Sequence, residues 1–69
     1  MSIRIPAPVV AAGIAIDRAD TLDELETLWL LNDCDGFKGK SRDYLMSIYR
    51  GVIARCQRNA EAVRMGHAA

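Results

Sequence analysis

The sequence predicts an all-α fold: a helical hairpin of a short acidic helix (residues 21–31) and a long basic helix (residues 41–65), with a weaker N-terminal helix or arm. Three observations predict it. Thr21-Leu22-Asp23-Glu24 has the form of a capping box, and it opens a leucine stripe at Leu22, Leu25, Leu28 and Trp29. Leu45, Tyr49, Val52, Cys56, Asn59 and Val63 recur at spacings of 4, 3, 4, 3 and 4, the heptad pattern of a helix packed along one seam. Residues 32–40 between them carry Asn, Asp and two glycines, which is turn chemistry.

Residues 1–7 hold Pro6 and, with Pro8 just beyond, cannot form a helix interior, so they read as an arm or a helix lead-in. From Pro8 to Arg18 a short helix is favoured, with the proline tolerated in its first turn. Val9, Val10, Ile14 and Ile16 are β-branched, which keeps a strand open as the alternative. Gly13 weakens such a helix by up to about 1 kcal/mol relative to Ala. At the capping box, the Thr21 hydroxyl is placed to accept from the Glu24 amide, and the Glu24 carboxylate to reach back to the Thr21 amide. Asp23 and Glu24 also suit the positive end of the helix dipole. Phe37, inside the loop, either plugs the hairpin core or marks a contact site. Ser41 is the expected N-cap of the long helix, with Asp43 in its first turn. Gly66 is its natural stop, and 66–69 form a tail. One domain, residues 1–69, holds all of this.

Size then shapes the argument. A chain of 69 residues buries only about 60% of the surface it exposes when unfolded, so its own core is marginal. Small scaffolds add disulfides, a metal or a second copy. Cys34 and Cys56 have no framework spacing and read as reduced thiols of a cytoplasmic protein. The single histidine, His67, sits in the tail and no Cys-x-x-Cys occurs, so no metal or other cofactor is expected. That leaves a homodimer, with Leu45, Tyr49, Val52, Cys56 and Asn59 as its interface. A polar Asn59 on the seam either fixes register or lies in solvent at the helix end.

Net charge is zero, but its distribution is uneven. Six acidic residues and no basic one lie between Asp20 and Asp35, and seven basic residues face only Asp43 and Glu61 between Lys38 and Arg64. The uncharged run Ile5 to Ile16 is far short of the ~20 residues a membrane span needs. No membrane association is expected.

The remaining motifs carry no catalytic or metal-binding chemistry in their spacing. An EF-hand loop with its glycine at Gly36 would begin at Leu31, which cannot ligate, and end at Arg42, which carries the wrong charge. Cys34 and His67 lack an orienting third group, and a tail residue is not held at reacting distance. The chain reads as non-enzymatic. Arg42, Arg50, Arg55, Arg58 and Arg64, with Lys38 and Lys40, offer a phosphate-binding face, which makes a nucleic-acid accessory protein the alternative reading. The connection between the two helices, however, is too long for a helix-turn-helix. Aromatic and arginine side chains dominate interface energetics, so Trp29, Phe37, Tyr44 and Arg50 are the candidate partner-binding residues.

The run Ala19-Asp20-Thr21-Leu22-Asp23-Glu24-Leu25-Glu26-Thr27-Leu28-Trp29, followed by a loop and a second helix with Tyr49, resembles small helical segments of tailed-phage early proteins. Length and two-helix plan are similar to small early proteins of Mu-like Pseudomonas phages, of the quorum-sensing anti-activator type. That resemblance implies a dimeric helical inhibitor in the host cell cytoplasm, binding and blocking a host protein such as a transcriptional regulator. It transfers no named functional residue.

Overall fold

Prolines, one capping box and two loop residues with positive φ set the helix boundaries. A computed structural model describes residues 5–64, which form α1 (Ala7–Asp17), α2 (Leu22–Leu31) and α3 (Lys40–Arg64), with a 3-10 turn at Cys34–Gly36. The fold is all-helical, as the patterning predicts. Residues 1–4 of the expected arm (1–7) and the expected tail at 66–69 lie outside the described residues.

Residues 7–17 are a helix and not a strand. Pro6 precedes it, and its carbonyl accepts from the amides of Val9 (2.9 Å) and Val10 (3.1 Å). Val9, Ala12, Gly13 and Ile16 are buried, the i, i+3, i+4, i+7 set of one helical face. Gly13 therefore has a packing role that its low helix propensity conceals. A Cβ added there would lie 2.9 Å from Ile48 Cδ1 and 3.1 Å from the Tyr44 ring. The absent side chain lets α1 sit directly on α3.

At α2 the Glu24 amide donates to Thr21 Oγ1 at 3.1 Å, as expected. The return bond differs: Glu24 Oε1 accepts from the Asp20 amide at 3.3 Å, one residue before the predicted donor. The helix ends where Asn32 Nδ2 donates to the Leu28 carbonyl at 2.8 Å. Asp33 then takes a left-handed conformation (φ 51°), which short polar side chains tolerate, and reverses the chain. α3 begins at Lys40, so Ser41 lies within the helix and is not its cap. Gly39 at φ 63° turns the chain in, and its carbonyl accepts from the Asp43 amide at 3.0 Å.

Gly13 rests on Tyr44 and Ile48 while Asp17 is held by Arg55, so α1 runs in the same sense as α3. Trp29 meets Tyr49 while Ala19, ahead of α2, meets Cys56, so α2 runs the opposite way. α2 and α3 form the expected antiparallel hairpin, and α1 covers another side of α3. The core is Val9, Ala12, Ile16, Ala19, Leu25, Trp29, Cys34, Leu45, Val52 and Cys56. No polar or charged side chain is buried among the described residues.

This core corrects the expected dimer seam. Leu45, Val52 and Cys56 are buried inside one chain, and Tyr49 is half-buried against Trp29. All four pack into the core of the single chain, and Leu45 and Val52, at 0% and 1% exposure, have no face left for a second copy. The N-terminal helix, read as the weakest element, supplies the missing cover. Asn59, the last residue of the expected seam, is exposed.

Candidate protein-binding site

The closed end of the hairpin is held by an aromatic knot. Trp29 Nε1 donates to Asp35 Oδ1 at 3.0 Å. The Trp29 and Tyr49 rings pack edge to face, centroids 4.9 Å apart at 75°. The Arg42 guanidinium lies 5.8 Å from the Trp29 centroid and pairs with Asp35 at 3.5 Å. Cys34 is buried beneath it, and burial first, then the Asp35 and Asp33 charges, push its thiol pKa above the ordinary 9.0, against a lowering by Arg42. A thiol held neutral in this way is an inert packing group. Cys34 and Cys56 are both free thiols.

The four candidate partner-binding residues do not form one surface. Trp29 is 8% exposed and its polar atom is used by Asp35. Phe37 is half-buried against the core, and Tyr44 is half-buried over Gly13. Arg50 is exposed, but at about 100° per residue it lies roughly 120° around α3 from Tyr44. Aromatic content pointed to an interface, but in this fold the rings close the hairpin and line the core.

The arginines also divide. Arg55 Nη2 donates to the carbonyls of Asp17 (2.6 Å) and Ala19 (2.8 Å), and Nη1 pairs with Asp17 at 3.5 Å. It ties the C-terminal end of α1 to α3. Arg42 is engaged at the knot. Two of the five arginines of the expected phosphate-binding face therefore have structural partners.

What is left uncovered lies mainly on α2 and on the far end of α3. Leu25 and Trp29 turn inward, while Leu30 and Leu31 are 70% and 75% exposed. Beside them on the outward side stand Asp23, Glu24, Glu26 and Thr27, all exposed. Among the described residues the ion pairs are Asp35–Arg42 and Asp17–Arg55. The basic helix does not neutralise the carboxylates of α2. At the other end, Asp20, Thr21, Leu22 and Asp23 line an open groove of about 780 Å³ together with α3 residues from Cys56 to Arg64. Nothing in the sequence pattern separates these exposed leucines from the buried ones, because Leu30 and Leu31 only widen the stripe.

Among the described residues no cluster of three or more His, Cys, Asp or Glu side chains is placed to hold a metal ion. Among them also, no helix is long and apolar enough to cross a membrane. No family model, curated protein or solved structure matches the chain.

Proposed function

We propose that this chain is a non-enzymatic protein-binding inhibitor whose α2 face covers a basic surface of another protein, of the kind that otherwise meets nucleic acid. One observation carries the reading: α2 presents two adjacent exposed leucines at the end of an acidic face that its own basic helix leaves unpaired. Burying an exposed leucine contributes about 1.5–3 kcal/mol. The carboxylates supply orientation and a faster encounter with a positively charged target. A partner that fits has an apolar patch bordered by lysine or arginine. The resemblance of the Ala19–Trp29 run to small phage early proteins points to a host transcriptional regulator as that partner. The chain acts by occupation: with the basic surface covered, the regulator cannot hold DNA.

The test is displacement. A purified host quorum-sensing regulator bound to fluorescent operator DNA is titrated with the chain, and anisotropy is followed. Wild-type protein is expected to release the DNA. Leu30→Asp with Leu31→Asp is expected to weaken release at least tenfold, because about 1.4 kcal/mol is a factor of ten. Equal potency of that double variant, or no release by the wild type, overturns the reading. Direct binding of the chain to the DNA, falling steeply with salt, would favour the nucleic-acid alternative.

A further inference from the structure

The stripe that α3 buries does not end where its cover ends. At about 100° per residue, Leu45, Val52, Cys56 and Val63 fall on one line along α3, with Asn59 and Ala60 on either side. The first three are buried, yet Val63 is 80% exposed, and every residue from Gln57 to Arg64 is exposed. About two turns of α3 thus project past the body, still carrying the core-facing stripe. The N-terminal end of α2 stands beside this projection and forms the groove. Cys56, Ala60, Val63 and Leu22 give the groove its apolar part, and Asp20 and Asp23 its acidic edge. Leu22 is itself 44% exposed.

We propose that the groove takes the same end of a second copy, the two α3 projections lying antiparallel about a two-fold axis near Asn59 and Ala60. The site is self-complementary in this arrangement, as a two-fold interface must be. With the axis there, Val63 of one copy stands level with Cys56 of the other, which is also the level of Leu22. Arg64 lies on the α2 side of the stripe, since it shares the groove lining with Asp20 and Asp23. It therefore meets the Asp20 and Asp23 of the second copy, carboxylates that no cation pairs among the described residues of their own chain. Asn59 faces its counterpart near the axis, where a polar pair fixes register. Ala60 keeps the helices close.

The contact is small. Eleven of the described residues line the groove, and at the roughly 30 Å² per residue typical of interfaces that gives about 300–400 Å² a side, well below standard size. A contact of this size is expected to make a weak, reversible dimer. The proposal shares Asp23 with the α2 outer face but uses neither Leu30 nor Leu31, and it stands independently of the proposed function.

Sedimentation equilibrium of the full chain from about 10 μM to about 1 mM, a range set by the small contact, tests it. Wild type is expected to pass from monomer to dimer. Val63→Asp, at an exposed position that leaves the core intact, is expected to weaken association at least tenfold. Arg64→Asp is expected to stay monomeric, and Asp23→Arg, which keeps Asp20 as a partner for Arg64, to associate more weakly than wild type, both with unchanged helical circular dichroism. Mixed in equal amounts, those two are expected to form a one-to-one heterodimer, because each copy then meets its opposite charge. A wild type that stays monomeric, association unaffected by Val63→Asp, or a mixture that fails to pair overturns the proposal. A monomeric wild type whose regulator binding is abolished by Val63→Asp would assign the groove to the regulator instead. A monomeric wild type that still displaces DNA through Leu30 and Leu31 would leave the proposed function standing alone.

Discussion

Replacing Arg55 with methionine tests whether this side chain is a structural clasp or part of a solvated basic face. In the structure it donates to the Asp17 and Ala19 carbonyls at 2.6 and 2.8 Å, at the point where α1 ends and the chain turns toward α2. Ala19 is fully buried, so its carbonyl cannot turn freely to water once the guanidinium is gone. The remaining neighbour, Cys56 Sγ at 4.0 Å, is a weak donor. A hydrogen bond to a charged group contributes about 1.5–3 kcal/mol when shielded. Here one bond is exposed and the other half-buried, so each falls below that shielded scale and the pair sums to about 2 kcal/mol. The ion pair with Asp17 joins exposed groups and adds little. For a domain of this size about 2 kcal/mol lowers Tm by roughly 8–16 °C. Arg58→Met is the control, since Arg58 is exposed and unpartnered among the described residues, and it is expected to change stability by less than about 0.5 kcal/mol. Arg55→Lys is expected to fall between them, because an ammonium lacks the fork that spans two carbonyls. Thermal and urea unfolding followed by circular dichroism read all three. Equal Tm shifts for Arg55→Met and Arg58→Met would refute the clasp.

Two further perturbations probe α1 and the knot. Helix propensity alone favours Gly13→Ala by about 1 kcal/mol. The added Cβ, however, meets Ile48 and Tyr44 at 2.9 and 3.1 Å, and overpacking costs about 1–3 kcal/mol. Ile48 Cδ1 ends a flexible side chain and can swing aside, so the Tyr44 ring sets the cost. The net expectation lies between no change and a loss of about 2 kcal/mol in urea unfolding, and a gain would mean that the Tyr44 ring yields without cost. Cys34 sets a pH dependence. Its folded pKa is raised by burial, then Asp35 and Asp33, so the neutral thiol is the form the fold favours. Its contribution is complete below the ordinary value of 9.0 and is lost as pH rises through the higher folded value. The stability difference between wild type and Cys34→Ala is therefore expected to hold through neutral pH and shrink in alkali. A difference that is flat across unfolding curves from about pH 7 to about pH 10 would contradict it.

The sequence was most legible where the chemistry is local. The Thr21 cap needs only residues three positions apart, whereas the Glu24 carboxylate, on a flexible side chain, reaches the Asp20 amide one residue before the expected donor. Ser41 has the residue type of a cap, but the positive φ of Gly39 turns the chain two residues earlier. Non-local relations were not legible. Arg55 looks like any solvated arginine, since its two carbonyl acceptors lie 36 and 38 residues away. Gly13 looked like a defect in α1 because its reason for being small belongs to α3. The heptad seam shows the limit most clearly. A spacing of three and four states that one face of a helix is covered, and it is silent on whether the cover comes from the same chain or from another. Here α1 and α2 supply it for Leu45, Val52 and Cys56, and their reach ends before Val63. The pattern continues past the cover, so the part of the seam still open is its last two turns, and a second copy can reach the molecule there without disturbing a core that is already closed.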